Sequence, residues 1–201
     1  MILVIDSATA ACSVALIDGE QLIDERHEVV DRGHAERLIP MIEEMLGGRR
    51  PAGLLVDCGP GSFTGTRVGL AAAHGLAIGW QIPLTGYSSM AAVAATAGAS
   101  DEVSVALIGG HGQLFVQSYG PDPIAPLDEL QSLPPAEAAA AMKPALVLGS
   151  AADLLVSIRG YGEARDALPR ASIVRHLPPA LRNLPPRPIY GRGPDAKPMR
   201  G

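Results

Sequence analysis

The sequence is short of aromatic residues and carries no excess of positive charge. Only 3% of its 201 residues are Phe, Trp or Tyr, and its formal net charge is -5 at pH 7. Proteins that bind nucleic acid by themselves usually cluster basic side chains and stack bases on aromatic rings. The composition therefore argues against autonomous binding of RNA or DNA, and another chain would have to supply most of any such contact.

Cysteine and histidine are also scarce. Cys12 and Cys58 form no CxxC motif and lie in or beside apolar runs, so we expect buried thiols rather than a disulfide or a metal site. The five histidines lack the spacing at which one helix presents two ligands to a metal ion. We therefore predict that the chain holds no metal of its own.

Long apolar runs are missing as well. No segment reaches the roughly 18 uninterrupted apolar residues of a membrane span. The N-terminus, MILVIDSATAA, lacks the basic region of a signal peptide and leads straight into a predicted strand. We expect a soluble, cytoplasmic protein without membrane contact. Its hydrophobic content of 47% is ample for the core of one large domain or two small ones.

Residues 2–30 predict three antiparallel strands. The turn after the first strand carries Asp6, Ser7 and Thr9. Actin-like and sugar-kinase-like nucleotide domains begin in this way, and their first hairpin wraps around phosphates. The same side chains would equally well satisfy the backbone of their own turn through local hydrogen bonds. Both interpretations stay open on these residues.

Residues 53–80 predict a strand, a glycine-rich loop and a long helix, and they form the centre of the chain. Gly59 and Gly61 permit a tight turn or the close approach of a ligand, and the following helix start could hold an anion. However, residues 65–67 read GTR where a Walker loop requires Gly-Lys-Ser/Thr. We therefore favour a structural turn, with a vestigial phosphate site at Asp6, Ser7, Thr9, Gly59 and Gly61 as the alternative.

Between residues 34 and 97, a short strand at 82–84 and three helices are predicted, and the third helix, capped by Ser88 or Ser89, runs to Ala97. The first, His34–Leu46, has one apolar face, and Pro40 within its first two turns predicts an irregular start. The second, residues 64–80, carries small residues among larger apolar ones, so another helix could approach it closely. A partner protein or packing within the same domain would use such a surface.

A boundary near residues 98–101 divides the chain into an N-terminal lobe, 1–100, and a C-terminal lobe, 101–201. The second lobe opens with a predicted hairpin that has no Asp or Glu between Val103 and Pro121. Because Mg-ATP is held by acidic groups from both lobes in phosphotransferases of this kind, we judge a nucleotide site here to be incomplete.

The remainder of the second lobe is harder to interpret. Helices are predicted near 136–142 and 151–157, with a strand at 145–148 between them. After Pro169 the frequent prolines and arginines predict an extended, solvated basic tail, with a contact to a partner or to tRNA as the minority alternative.

Several motifs resemble the TsaB (also called YeaZ) family. Residues 4–7 read VIDS, residues 34–40 read HAERLIP, and residues 59–69 read GPGSFTGTRVG, a string highly specific for that family. The similarity resumes at residues 188–196, PIYGRGPDA. Residues 109–111 are GGH where the family usually has Asp-Ala-Arg, so the roles of that Asp and Arg do not carry over.

The resemblance implies a two-lobed α/β fold of the actin/hexokinase-like (ASKHA, ribonuclease H-like) class with a reduced second lobe. It also implies a non-catalytic subunit in the synthesis of threonylcarbamoyladenosine at position 37 of tRNAs that read ANN codons. Such a subunit binds TsaD as a heterodimer, supports the ATPase TsaE and self-associates through the same helical face. ATP and metal would then belong to TsaD and TsaE, and tRNA would be reached only through the complex.

Mapped onto this chain, the partner face lies on the two helices of the first lobe. It comprises His34, Leu38, Ile42, Met45, Gly65, Arg67, Gly69, Ala72, Ala73 and Leu76. A buried charge is costly at a close helix contact, so Gly69→Arg or Ala72→Arg is predicted to abolish pairing and leave the fold intact.

Two enzymatic alternatives stay open. One is a small ATPase or phosphotransferase that uses Asp6, Ser7, Thr9 and the loop at 59–61. The other, weaker one is a peptidase, since relatives of this superfamily have been labelled glycoproteases.

Overall fold

The structure is a computed structural model that describes residues 1–30, 33–98 and 101–191. The first lobe contains, in chain order, β1 (Ile2–Asp6), β2 (Ala11–Asp18), β3 (Gln21–Val29), α1 (His34–Leu46), β4 (Gly53–Asp57), α2 (Phe63–Trp80), β5 (Leu84–Tyr87) and α3 (Ser89–Ala94). A short 3-10 helix, Ala95–Ala97, follows α3.

The first sheet has the strand order β3-β2-β1-β4-β5. β1 pairs antiparallel with β2 and parallel with β4, and this register places Ile5 opposite both Val14 and Val56. Leu3, Val4 and Ile5 have no exposed surface because both faces of the sheet are covered. That burial explains the continuous apolar run at the start of the chain.

The second lobe contains, in chain order, β6 (Val103–Ile108), β7 (Leu114–Gly120), β8 (Ala125–Pro126), β9 (Gln131–Leu133), α4 (Pro135–Ala141), β10 (Leu146–Leu148), α5 (Ala152–Arg159) and β11 (Glu163–Arg165). Its sheet has the order β11-β10-β6-β7-β8, and β9 also pairs with β7. β6 and β7 form the predicted hairpin, whose turn is the 3-10 helix Gly110–Gly112.

The core is built in three layers. One apolar cluster lies between the first sheet and the helices α1 and α2, and another lies between the second sheet and the helices α4 and α5. The middle cluster joins the two lobes, because α3 and the inner face of the first sheet pack against β6, β7 and the 3-10 helix Ala171–His176. The lobes therefore share a hydrophobic core.

Two details of the predicted elements are wrong. The strand expected at 82–84 lies at Leu84–Tyr87, because Gln81 ends α2 in the left-handed conformation and the Ile82 N–H still donates to the Ala77 carbonyl at 3.1 Å. The irregular start predicted for α1 is absent, since His34–Leu46 is one helix with Pro40 inside it. The short strands β8, β9 and β11 gave no periodic signal in the sequence.

The predicted solvated tail after Pro169 is wrong for the part that the structure describes. Ala171 and Val174 are buried in the shared core. Residues 184–191, which we call the return segment, run back over the first lobe: Gly86 and Leu184 exchange two backbone hydrogen bonds, and the Ile189 N–H donates to the Cys58 carbonyl at 2.8 Å. Arg192, Lys197 and Arg200 lie outside the described residues. Within those residues, no helix combines the length and apolar character that crossing a membrane requires.

A polar link fastens the second half of the chain to β2 and β3. The Ser13 hydroxyl accepts the Ala171 N–H at 3.0 Å, and the Glu25 carboxylate accepts the Arg170 guanidinium at 2.7 Å and the Ser172 N–H at 3.1 Å. Burial acts to raise the pKa of Glu25, but the hydrogen bonds from Arg170 and Ser172 outweigh it and hold that pKa below its usual value.

Arg170→Ala is expected to lower the free energy of unfolding by about 0.5–1 kcal/mol, because the guanidinium is half exposed and solvent screens the pair. Urea denaturation monitored by circular dichroism measures this loss. The matched control is Arg165→Ala, whose partner Glu163 is exposed like Arg165 itself, and a loss near zero is expected there. Equal losses in the two variants would contradict a specific role for the link between the lobes.

Candidate partner-binding site

The loop between β4 and α2 is held by hydrogen bonds within the chain. The Gly59 N–H donates to Asp57 Oδ1 at 2.8 Å, and the Ser62 N–H donates to the Ala8 carbonyl at 2.6 Å. Ser62 also caps α2, because its hydroxyl accepts the Gly65 N–H at 3.1 Å. The amides that could have faced an anion at these positions already have partners.

The five residues of the predicted phosphate site do come together at this loop. Asp6 and Ser7 are buried, the Ser7 hydroxyl donates to the Gly65 carbonyl at 2.9 Å, and the Thr9 hydroxyl accepts the Ala11 N–H at 3.3 Å. A Cβ atom at Gly61 would overlap the Ala8 carbonyl oxygen, so glycine is required there by close backbone packing. The structural interpretation of the turn accounts for these contacts without a phosphate.

A cleft of about 1070 Å³ lies between the lobes. Its walls come from the turn after β1, the loop before α2, the turn between β6 and β7, and the return segment. Among the described residues that line it, Arg67 and His111 are the side chains that can carry charge, and Asp and Glu are absent. The GGH turn that departs from the family lines the cleft, with His111 at a left-handed φ of 59°.

Arg67 stands at the mouth of this cleft. Its guanidinium lies 3.3 Å from the centre of the Phe63 ring and donates to the Tyr190 hydroxyl at 2.7 Å. Arg67 was predicted to belong to the partner face. Here it ties α2 to the return segment, and both aromatic rings remain largely exposed.

The predicted partner residues on α1 point into the chain's own core. Leu38, Ile42 and Met45 are buried against the first sheet, because their helical spacing forms the apolar stripe that covers it. His34 is also buried, with its Nε2 atom 2.9 Å from the Thr9 carbonyl and 3.3 Å from the Ala11 carbonyl. The prediction for these four residues is therefore corrected: their side chains are covered by the chain's own core, so a partner does not touch them.

The inner side of α2 requires the same correction. A Cβ atom at Gly65 would overlap the Ser7 carbonyl, and one at Gly69 would overlap the Ser7 hydroxyl. Ala73 is fully buried. Gly69→Arg would thus break the packing of α2 on β1, so the expectation that this variant keeps its fold is wrong. Of the predicted set, Arg67, Ala72 and Leu76 keep part of their surface exposed.

The exposed side of α2 is made of residues that sequence reasoning missed. We call this surface the α2 face; it comprises Ala71, His74, Gly75, Ile78 and Gly79. The Ile78 side chain is 77% exposed, and a Cβ atom at Gly75 or Gly79 would meet nothing within 4 Å. The sequence gives little signal for this face, because α2 is small and apolar on all sides.

The two lobes, each a sheet with helices on its outer side, define the class of the protein. It is a two-lobed α/β fold of the actin/hexokinase-like class, as the resemblance implied. A crystal structure from Pseudomonas aeruginosa, described as an uncharacterized protein with similarity to peptidase YEAZ, has 25% sequence identity and a TM-score of 0.79. The match covers 95% of this chain and 99% of that chain.

Comparison of sequences gives the family. A family model described as TsaD, tRNA N6-adenosine threonylcarbamoyltransferase, matches residues 26–146. The tRNA threonylcarbamoyladenosine biosynthesis protein TsaB of Escherichia coli (strain K12) is 39% identical over 98 residues, 46% of this chain and 42% of that protein. An uncharacterized protein of Mycobacterium tuberculosis is 32% identical across 98% of this chain and 94% of its own length. The chain belongs to the TsaB (YeaZ) family. The matched part spans less than half of the Escherichia coli relative.

Proposed function

We propose that this chain is a non-catalytic subunit in the synthesis of threonylcarbamoyladenosine in tRNA, and that it works by docking a TsaD-type protein on the α2 face. The name of the Escherichia coli relative supports the pathway. In this proposal the docked pair also recruits TsaE, tRNA is contacted only through the complex, and the assembly acts in the cytoplasm. In the absence of TsaD, two copies of the chain pair through the same face.

The observation that carries the docking proposal is the composition of the α2 face. Ile78 presents a large apolar side chain to solvent between two helical glycines, where no side chain in the described part of the chain covers it. Glycine and alanine on an exposed helix surface let a partner helix approach closely, and the isoleucine supplies apolar area to bury. Such a combination suits an interface better than a solvated helix.

Two further observations favour a subunit that does not catalyse a reaction itself. The lining of the cleft contains no carboxylate among the described residues, so a Mg-nucleotide would lack the oxygen ligands that hold the ion. In addition, the loop amides of Gly59 and Ser62 donate within the chain. ATP and metal are therefore assigned to TsaD and TsaE in this proposal.

The direct test is the light-scattering mass of the purified chain, alone and mixed with TsaD from the same organism. We expect a homodimer that converts to a 1:1 heterodimer, since one face serves both associations. A chain whose mass stays unchanged when TsaD is added would overturn the docking proposal.

The competing function is an autonomous ATPase, because the cleft has the volume for a nucleotide. Calorimetric titration of the chain alone with Mg-ATP separates the two. We expect no heat of binding. Saturable Mg-ATP binding with turnover by the isolated chain would replace the subunit proposal with an enzymatic one.

A further inference from the structure

Two acidic side chains meet at the end of β1 and β4 without any role in the proposed function. The strands are parallel neighbours with Ile5 opposite Val56, so Asp6 and Asp57 follow side by side at the same edge of the sheet. Their exposed fractions are 0% and 1%. A buried pair of carboxyl groups is costly unless its charge is reduced or neutralised.

The hydrogen-bond donors around the pair do not reach all four of its carboxyl oxygen atoms. Asp57 accepts the Gly59 N–H on Oδ1, and the Ser89 hydroxyl lies 2.8 Å from Oδ1 and 2.7 Å from Oδ2. Asp6 Oδ2 accepts the Tyr87 hydroxyl at 2.8 Å. Asp6 Oδ1 is buried and makes no hydrogen bond of normal geometry among the described residues, although the Ala8 N–H lies near this carboxyl group and acts to lower its pKa. One oxygen atom of the pair thus lacks a well-placed donor.

Among the described residues, no positive charge compensates the two carboxyl groups. The titratable groups that face them are Tyr87 from β5, Cys58 after β4 and Cys12 from β2, and each of these is neutral or becomes negative when it titrates. Burial raises the pKa of Asp6, and the charge of Asp57 raises that pKa further. Burial also raises the pKa of Asp57. Two like-charged carboxyl groups that lie side by side in a buried site cannot both ionise without a large cost.

We propose that Asp6 and Asp57 share one proton, carried on Asp6 Oδ1 and donated toward Asp57. This proton stabilises the folded first lobe and makes its stability depend on pH. The proton supplies the donor that the unpartnered oxygen lacks and removes one of the two charges. It acts on the loop before α2, because Asp57 also anchors that loop through the Gly59 N–H.

The sign of the pH dependence follows from linkage. An unfolded aspartate releases its proton near pH 4, whereas the folded pair keeps one proton at higher pH. The folded state therefore binds more protons than the unfolded state, and this contribution to stability is complete below about pH 4 and is lost as the pH rises. While only the folded pair holds the proton, the folding equilibrium constant falls about tenfold for each pH unit.

His27 and three glutamates give slopes of the opposite sign. His27 has a pKa lowered by burial and by the charge of Arg170, so its contribution to stability grows as the pH rises. Glu25, Glu28 and Glu44 have lowered pKa values, and their contributions are already complete above about pH 5. The contribution of the pair is therefore measured as the difference in folding stability between the wild-type protein and a variant at each pH.

Asp6→Asn is the decisive variant. Its amide oxygen can accept from Tyr87 while its NH2 group donates toward Asp57 from the position of Oδ1, so the hydrogen bonds persist without a titrating proton. Between pH 5 and pH 8, we expect wild type to lose at least tenfold in folding equilibrium constant relative to Asp6→Asn, measured by urea denaturation at each pH. The control Asp166→Asn removes an exposed carboxylate and should run parallel to wild type. Parallel profiles for wild type and Asp6→Asn would overturn the proposal.

The wild-type protein provides a second measurement if Asp6→Asn does not fold. Its infrared spectrum at pH 7 should retain the carbonyl stretch of a protonated carboxylic acid, because ordinary aspartates and glutamates are ionised at that pH. A spectrum at pH 7 without that band would show both carboxyl groups to be ionised and would reject the shared proton.

Discussion

Replacing Gly65 by alanine is expected to lower the free energy of unfolding by about 3 kcal/mol, because the added methyl group has no room between α2 and the turn after β1. The new Cβ atom would overlap the backbone carbonyl of Ser7 and lie 3.3 Å from the side chain of Ser62. Relief requires α2 to move away from β1, which would break the hydrogen bond from the Ser7 hydroxyl to the Gly65 carbonyl.

Gly75→Ala is the matched control in the same helix. Its Cβ atom would meet nothing within 4 Å, so the change should stabilise the protein by about 0.5–1 kcal/mol through helix propensity alone. Urea denaturation of both variants gives the two values. If Gly65→Ala were as stable as wild type, the close packing of α2 on β1 would be refuted.

Gly75→Arg is expected to weaken the complex with TsaD at least 100-fold, which corresponds to about 2.7 kcal/mol, because a long charged side chain would be buried at the proposed interface. The variant should fold normally, since its position is open to solvent in the isolated chain. The measurement is isothermal titration calorimetry with TsaD, after circular dichroism has shown that the variant keeps its fold.

Ala140→Arg supplies the control for this experiment. Residue 140 is exposed on α4 in the second lobe, so the same charged side chain there should leave the affinity for TsaD unchanged. If a folded Gly75→Arg variant bound TsaD with wild-type affinity, the α2 face would not be part of the interface. An equal loss in both variants would point to a general effect of charge.

The fold of the first lobe was predictable because its signals are local. The apolar run of β1, the turn at Asp18 and Gly19, and the glycine after Leu46 each follow from propensity and burial pattern, and the structure places the elements accordingly. The hairpin of β6 and β7 could be predicted for the same reason. The return segment could not be, since a proline-rich stretch with isolated apolar residues gives no periodic pattern.

The position of the proposed interface on α2 was not predictable from residue types. Gly65 and Gly69 pack on β1, whereas Gly75 and Gly79 are open, although all four are helical glycines. The two pairs lie about a quarter turn apart around the helix, and only the placement of β1 decides which pair is covered. Similarly, the apolar stripe of α1 faces the sheet because the sheet is its nearest apolar surface.

The return segment also has a consequence for synthesis of the chain on the ribosome. The outer edge of β5 is closed by Leu184, and Arg67 is bound by Tyr190, 123 residues further along the sequence. The N-terminal half leaves the ribosome first, and the outer edge of β5 stays uncovered until these residues have been synthesised. A nascent chain stalled after the second sheet would therefore carry an open strand edge, and its protection would fall to chaperones until translation ends.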